Sequence, residues 1–193
     1  ETGGRGLSSA DSIRAMIQGV GAEADTWSDG SLAESADPDS VEGGSGAGKY
    51  KITDKLKAHI ENIDVNVPRK RGIGGAHRKD VFMQNDIQII SETPISNING
   101  VTTIEYQMPK LDRTGAPIPG EYQSGASKVK TIYDPNIIST DEYLDRGLQA
   151  ANNAVSQYPD DILPREWVGV DNSGVTWRGY YENGEITSMY PEQ

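Results

Sequence analysis

The chain contains two histidines, His59 and His77, and both are candidates for acid–base chemistry. Histidine exchanges protons near neutral pH because its ordinary pKa lies at about 6.5. An acid and a base of this kind can cleave RNA without a metal, because the 2′-hydroxyl of RNA is itself the nucleophile. It only has to lose its proton while the leaving 5′-oxygen gains one. The spacing of the two histidines does not indicate which is the acid and which the base.

A pair of glycines precedes the second histidine. Gly74 and Gly75 stand three and two residues before His77. Because glycine has no Cβ, its backbone can approach a phosphate more closely than that of other residues. The segment therefore predicts a phosphate-binding loop that ends at an acid–base residue, although two histidines at this spacing do not by themselves establish a nuclease.

The distribution of charge supports an anionic ligand only in one part of the chain. The net charge of the whole chain is −11, which argues against general affinity for nucleic acid. Residues 49–79, however, carry nine basic and three acidic residues, and both histidines lie among them. The basic residues closest to the second histidine are candidate phosphate contacts: Arg69, Lys70, Arg71, Arg78 and Lys79. The same residues are equally suited to dock an acidic protein partner.

Other chemistries fit the composition less well. The two histidines are poor metal ligands, because the chain has no third histidine and no cysteine, and Glu61 and Asp80 do not complete a helix-borne His-x-x-x-His pair. A zinc deaminase would need a Cys-x-x-Cys motif, and a metal-dependent DNase would need a carboxylate cluster that the sequence does not reveal. We therefore predict an enzyme without metal or cofactor. No apolar run reaches the length of about 18 residues that predicts a transmembrane helix.

The first 48 residues differ in composition from the rest. A short helix is predicted over residues 10–18, followed by a stretch rich in Gly, Ser, Asp, Glu and Ala that buries too little apolar surface to fold by itself. We interpret residues 1–48 as a linker or the remnant of an import or delivery segment, and residues 49–193 as one folded domain. The chain lacks a signal-peptide pattern and a first methionine, so we expect it to be a fragment, and a monomeric one.

The folded part reads as helices followed by strands. A helix is predicted over residues 53–63, with Leu56, Ile60 and Ile63 on its buried face, and a second helix from residue 139 or 140 to about 155. Strands are predicted within residues 81–108, near residues 129–133 and at 167–170, 175–181 and 186–190, and residues 109–123 are predicted to be a loop. This order indicates an α+β fold with mainly antiparallel sheet.

Several motifs in this order resemble the bacterial EndoU nucleases. The histidine segment, His59-Ile60 followed by Gly74-Gly75-Ala76-His77, resembles the family's two histidine motifs. The closing segment is the more specific match: Trp167-Val168-Gly169, Asp171-Asn172-Ser173-Gly174-Val175, Arg178-Gly179-Tyr180 and Ile186-Thr187-Ser188-Met189-Tyr190-Pro191. Between them, residues 128–135 resemble the family's lysine segment. The resemblance covers about residues 51–191.

The resemblance implies a fold, an activity and a set of site residues. The fold would be the two-lobed EndoU or RNase A-like nuclease fold, and the activity an endoribonuclease that leaves a 2′,3′-cyclic phosphate. Members of the family often form the C-terminal toxin of contact-dependent inhibition or another polymorphic delivery system. Such a toxin is secreted or displayed on a cell, cleaves RNA, often transfer RNA, in the cytoplasm of a target bacterium and is neutralised by an immunity protein. Carried over by position, the site would hold His59, His77, a lysine at Lys128 or Lys130, Thr187 and Tyr190.

The chain departs from the family pattern in two places, and these departures leave alternatives open. The glycine expected soon after His59 is missing, and Asp134 precedes Pro135 where an aromatic residue is usual, so the lysine register is ambiguous. If neither lysine reaches the phosphate, Tyr190 or Arg78 would have to supply the donor. A non-catalytic RNA- or protein-binding module on the same fold is therefore the alternative function. Trp167, Trp177 and Tyr180 are expected to pack in the core or across strands rather than to stack on bases.

Overall fold

The computed structural model describes residues 48–193, so the helix predicted over residues 10–18 and nearly all of the predicted linker lie outside the described residues. The first described helix, α1, spans Asp54–Glu61. The hydroxyl of Thr53 caps it by accepting the backbone N–H of Leu56 at 3.1 Å. Leu56 and Ile60 are buried as predicted, but Ile63 is 42% exposed, because the helix ends at Glu61 and Ile63 forms a bridge with Gly75 instead.

The first sheet has the strand order β1-β2-β5, with every pair antiparallel. Its strands are β1 Gln88–Pro94, β2 Val101–Gln107 and β5 Lys128–Tyr133, and the predicted Asn99-Gly100 turn joins the first two. The prediction that strands begin at Val81 is wrong, because a short helix, α2, spans Lys79–Phe82 and places Phe82 in the core. Beyond β5, residue Arg78 forms a parallel bridge with Tyr133, so the His77 segment lies along this strand.

The segment predicted to be a loop at residues 109–123 is a two-stranded hairpin. It consists of β3 Pro109–Leu111 and β4 Pro117–Tyr122. Asp112 organises its turn, because its carboxylate accepts the backbone N–H groups of Thr114 and Ala116. The proline and glycine content of this segment predicted a loop. Proline is nevertheless tolerated in short edge strands, because an edge strand does not use all of its N–H groups for pairing.

The second half of the domain packs one long helix on a second sheet. Helix α3 spans Thr140–Ala154 and is capped by the Ser139 hydroxyl, which accepts the N–H of Glu142 at 3.1 Å. The strands are β6 Glu166–Val170, β7 Thr176–Glu182 and β8 Glu185–Pro191, in the order β6-β7-β8. Three short 3-10 turns complete the described elements: Arg69–Arg71, Val155–Gln157 and Pro159–Asp161. The α+β prediction with mainly antiparallel sheet is confirmed.

Two hydrophobic clusters flank the histidine segment. The larger one joins α1, α3 and the second sheet around the fully buried Trp167 and Trp177, which confirms that these tryptophans belong to the core. The smaller one gathers Phe82, Ile104 and Ile132 with Ile73 and Ala76 of the segment that leads to His77. The catalytic candidates therefore lie where α1, β5 and β8 meet. None of the helices that the structure describes is long and apolar enough to cross a membrane.

Candidate active site

His59 lies in the last turn of α1, and both of its ring nitrogens have partners. Nδ1 lies 2.7 Å from Oδ2 of Asp64, and Nε2 lies 3.0 Å from Oγ of Ser188 on β8. Because a carboxylate only accepts, Nδ1 carries the proton and donates it to Asp64. Burial lowers the pKa of His59 below its ordinary value, while the charge of Asp64 opposes this shift and favours the imidazolium.

His77 is held more rigidly and is almost fully buried. Its backbone N–H donates to the Ile60 carbonyl at 2.8 Å, and its carbonyl accepts the Tyr133 N–H at 2.8 Å. The ring Nδ1 donates to the Thr131 carbonyl at 2.8 Å, which leaves Nε2 as the lone-pair nitrogen of the neutral ring. Burial lowers the pKa of His77 well below its ordinary value, and the nearby charges of Lys130 and His59 lower it further.

The two histidine rings are neighbours, with centroids 5.6 Å apart. The backbone between them is folded back on itself, because the N–H of Ala76 donates to the Asn62 carbonyl and that of Asp64 to the Gly74 carbonyl. Gly75 permits this contact: it has φ +61°, and a Cβ placed there would lie 2.3 Å from the Asn62 carbonyl oxygen. The glycine pair that predicted a phosphate loop therefore also packs against the residues that follow α1.

Of the two candidate lysines, the structure brings Lys130 to the histidines. Lys130 donates from Nζ to the Ile73 carbonyl at 3.2 Å, and its charge acts on both imidazoles. Burial lowers the pKa of Lys130 to about 8. Lys128 occupies the same face of β5 two residues earlier, where its side chain lies beside Gly72 at the margin of the site. Of the two lysines, Lys130 is therefore the one whose position allows it to act together with the histidines.

On β8 the structure brings Ser188 to the site, where its Oγ lies 3.0 Å from Nε2 of His59. Ser188 and Tyr190 pair in regular register with Tyr180 and Arg178, so they share one face of β8, the face that contains His59 and His77. Thr187 is the extra residue of a β-bulge between Ser188 and Ile186, and its role in the site stays a prediction. Tyr190 lies nearly parallel to His77, with ring centroids 6.4 Å apart and an angle of 13° between the rings. Burial and the neighbouring Tyr180 raise the pKa of Tyr190.

The basic residues divide into two groups. Arg69 donates from Nη2 to the Pro109 carbonyl and so joins the 3-10 turn to the root of the β3–β4 hairpin, while Lys70 and Arg71 are exposed beside it. On the other side of His77, Arg78 is paired with Asp80 and Lys79 with Glu92, each at 2.8 Å. The exposed pair Lys70 and Arg71 is therefore the less neutralised part of the cationic block.

Sequence reasoning missed Asp64 and Ser188. Asp64 lies beyond the end of α1, where a helical periodicity cannot place it, and only the fold-back of the glycine segment turns it toward His59. Ser188 had a usable signal: it stands two residues before Tyr190 on a strand, so the alternation of β residues puts both on one face.

The arrangement can transfer protons around a phosphate. A lone-pair nitrogen on His77, an imidazole backed by a carboxylate at His59 and a cation at Lys130 occupy one site at the junction of α1, β5 and β8. Metal-independent RNA cleavage requires a base, an acid and a charge stabiliser, and residues of these types could fill those roles. Within residues 48–193, no three acidic or histidine side chains are grouped as metal ligands would be.

Comparison with known proteins gives a consistent family. The sequence model described as bacterial EndoU nuclease matches residues 53–193. Two relatives named tRNA nuclease CdiA, from Escherichia coli strain STEC_O31 and from Yersinia mollaretii, are each 33% identical to this chain, over 142 and 140 residues. Each alignment covers 69% of this chain, but the chain spans only 4% of the length of either relative.

Proposed function

The chain belongs to the bacterial EndoU nuclease family, and on that basis we propose that it is an endoribonuclease that cleaves transfer RNA without a metal and leaves a 2′,3′-cyclic phosphate. The observation that carries the proposal is the meeting of His59, His77 and Lys130, which are far apart in sequence, at one place in the fold. The names of the two CdiA relatives support transfer RNA as the substrate.

His77 is the general base. Its Nδ1 proton is committed to the Thr131 carbonyl, so Nε2 is free to accept the proton of the 2′-hydroxyl. Because burial and neighbouring positive charge lower the pKa of His77 well below its ordinary value, the ring is neutral at physiological pH and its lone pair is available. The deprotonated 2′-oxygen then attacks the adjacent phosphorus and closes the cyclic phosphate.

His59 is the general acid. The leaving 5′-oxygen needs a proton, and the Asp64 carboxylate favours the protonated ring that can deliver it from Nε2. In the free protein the Ser188 hydroxyl lies 3.0 Å from Nε2, so it marks the place that an oxygen of the substrate would take and orients the ring. Burial lowers the pKa of both histidines, but only His59 has a carboxylate that opposes the shift, so His59 is the more readily protonated of the two and the better candidate for the acid.

Lys130 stabilises the charge that develops on the phosphate. Its ammonium group lies in a largely buried position, where the interaction with an anion is screened less than at the surface. Tyr190 lines the same site beside His77 and offers a hydroxyl and an aromatic face to the nucleotide. Lys70 and Arg71 supply exposed positive charge for the RNA backbone outside the reacting phosphate.

We further propose that the domain is the toxin part of a polymorphic delivery system. It would reach the cytoplasm of a target bacterium and be neutralised there by an immunity protein. The family motifs and the small share of the CdiA relatives that the chain spans support this proposal. The cationic residues near His77 would then serve both RNA and an acidic inhibitor.

The test is cleavage of transfer RNA in EDTA by the purified chain, beside His59→Ala and His77→Ala. We expect fragments whose 3′ ends resist phosphatase until the cyclic phosphate is opened by acid, and loss of cleavage in both variants. A substrate with 2′-deoxyribose at the cut position is the matched control, since it lacks the nucleophile and should remain intact.

Two results would contradict the proposal. Cleavage of the deoxy substrate would show that the 2′-hydroxyl is not the nucleophile. Intact RNA in every reaction, combined with RNA binding in a gel-shift assay, would favour the alternative of a non-catalytic binding module on the same fold.

A further inference from the structure

A cleft of about 270 Å³ opens beside the catalytic residues and has no part in the proton transfers described above. It lies between the segment that follows α1, the 3-10 turn at Arg69–Arg71 and the end of β2. Its apolar walls are Val67, Ile73 and Met108, and its polar side chains include Asn66, Arg69 and Asn85.

Two residues of the cleft lining contact the proposed catalytic groups. Asp64 and Ile73 belong to its lining. The same Asp64 carboxylate lies 2.7 Å from Nδ1 of His59, and the Ile73 carbonyl accepts the Lys130 ammonium at 3.2 Å. A group in the cleft is thus one residue away from both the proposed acid and the proposed phosphate-binding cation.

The lining has the chemistry of a nucleobase site. A base presents two apolar faces, which aliphatic side chains can cover, and a polar edge, which amide and guanidinium groups can read. Asn66 supplies an amide, and Asn85 supplies another, whose Nδ2 also donates to the Phe82 carbonyl at 2.8 Å. Arg69 supplies a guanidinium of which one donor is used, by the Pro109 carbonyl. Nε of Arg69 is buried and has no hydrogen-bond partner among the described residues, which is unusual for a polar group.

We propose that this cleft binds the base of the nucleotide on the 3′ side of the cut bond. The inference rests on the proposed function and goes beyond it, because it assigns base recognition to residues outside the proton-transfer groups. The side follows from the role of His59: the oxygen that receives its proton is the 5′-oxygen of the 3′ nucleotide, and Asp64 connects His59 to the cleft.

The experiment uses short oligonucleotides with one ribose among deoxyriboses, so that only one bond can be cut. The residue on its 3′ side is one of the four bases or an abasic site. We expect the abasic substrate to be cut with a kcat/KM about tenfold lower than the best base, the ratio that a contact of about 1.4 kcal/mol gives. An abasic site on the 5′ side, in a parallel substrate, tests the assignment of the side.

Two variants remove the recognition groups, and one matched variant removes charge only. In wild type, the kcat/KM for the best 3′ base should exceed that for the 3′ abasic site about tenfold. Arg69→Gln and Asn66→Gly each remove a contact to the base and should reduce this ratio to about two or less. Asn66 has φ +63°, a conformation that glycine also adopts, so this variant keeps the backbone. Lys70→Gln removes one positive charge from the same turn and should slow all substrates by one common factor. Thermal melting confirms that each variant is folded.

Binding of the all-deoxy forms, measured by fluorescence anisotropy, separates this inference from the proposed function. If nothing is cut but base-dependent binding is weakened by Arg69→Gln and not by Lys70→Gln, the cleft assignment holds and the nuclease assignment fails. If cleavage occurs with the same base-to-abasic ratio in wild type, Arg69→Gln and Asn66→Gly, the cleft assignment is overturned. Sensitivity confined to the 5′ abasic site also overturns it.

Discussion

Replacement of Asp64 by asparagine tests whether the carboxylate that accepts the Nδ1 proton of His59 keeps this ring protonated for its proposed role as the acid. The amide oxygen of asparagine can still accept the Nδ1 proton, so the ring orientation is retained while the negative charge is lost. Asp64→Ala removes both the charge and the acceptor. The two variants together therefore separate the electrostatic contribution from the positioning of the ring.

The expected loss of kcat/KM follows from the hydrogen bond between Asp64 and His59 and from the solvent exposure of the two side chains. A hydrogen bond to a charged group contributes about 1.5–3 kcal/mol. The Asp64 side chain is 34% exposed and that of His59 is 22% exposed, so solvent screens the interaction and the lower end applies. A loss of about 1.5 kcal/mol from the transition state lowers kcat/KM about tenfold. Asp64→Ala should cost more, up to about a hundredfold.

The loss of the Asp64 charge should also shift the pH profile of kcat/KM in a defined direction. The negative charge of Asp64 raises the pKa of His59, in opposition to burial, so its removal lowers that pKa further. Less of the ring is then protonated at any given pH, and the alkaline limb of the kcat/KM profile moves to lower pH. Asp64 is not among the groups that shift the pKa of His77, so the acidic limb should stay in place.

The assay is cleavage of a one-ribose oligonucleotide between pH 5 and 9, chosen so that the profile spans about the range in which histidine titrates. Asp80→Asn is the matched control, because Asp80 is paired with Arg78 at 2.8 Å near His77 but does not contact either imidazole. An unchanged alkaline limb in Asp64→Asn, or an equal loss in Asp80→Asn, would refute the assignment of Asp64 to the acid.

Four further predictions concern Lys130, its pH dependence, Ser188 and a buried ion pair outside the site. Lys130→Met should lower kcat about 10²–10³-fold, as the loss of one transition-state donor does, while Lys128→Met should change it only a few-fold; equal losses would place the phosphate elsewhere. In wild type, the contribution of Lys130 should fade as the pH rises through about 8, because the ammonium then loses its proton. Ser188→Ala should slow cleavage more than Thr187→Ala, because the Ser188 hydroxyl lies 3.0 Å from Nε2 of His59, and the reverse order would assign the site role to Thr187. Asp171→Ala should lower the free energy of unfolding by about 3–5 kcal/mol, because the fully buried Asp171 carboxylate pairs with the largely buried Arg146 at 3.0 Å and its removal leaves that guanidinium without a carboxylate. A melting temperature close to wild type would contradict this.

The sequence predicted most elements because their signals are local. The stripe of Leu56 and Ile60 identified α1, and the serine or threonine cap identified the start of α3. The errors arose where tertiary contacts decide. Ile63 had the spacing of a core residue, but its pairing with Gly75 took it out of the helix. The β3–β4 hairpin was hidden by prolines that are tolerated on edge strands.

The sequence indicated which types of residue form the site, but it did not show which of them contact one another. Both histidines could be proposed from their chemistry, since no other residue titrates near neutrality without a shift in its pKa. Which lysine lies beside them depends on how β5 pairs with β2, where Lys130 faces the fully buried Ile104. No periodicity in one strand determines that pairing. The contact of Asp64 with His59 could not be predicted, because it depends on the path of the chain at Gly75, which only the folded structure shows.

The hydrogen bond between His59 and Ser188 joins residues 129 positions apart, and this separation has a consequence for synthesis. A nascent chain emerges from the ribosome with its N-terminal residues first, and so distant a contact forms only after the loop between its ends has closed. The two histidines, by contrast, are joined through backbone bonds that span far fewer residues, such as that from Ala76 to Asn62. A ribosome-bound chain that has not yet released β8 therefore carries both histidines but lacks the complete centre. We therefore expect activity to begin only after that strand has emerged.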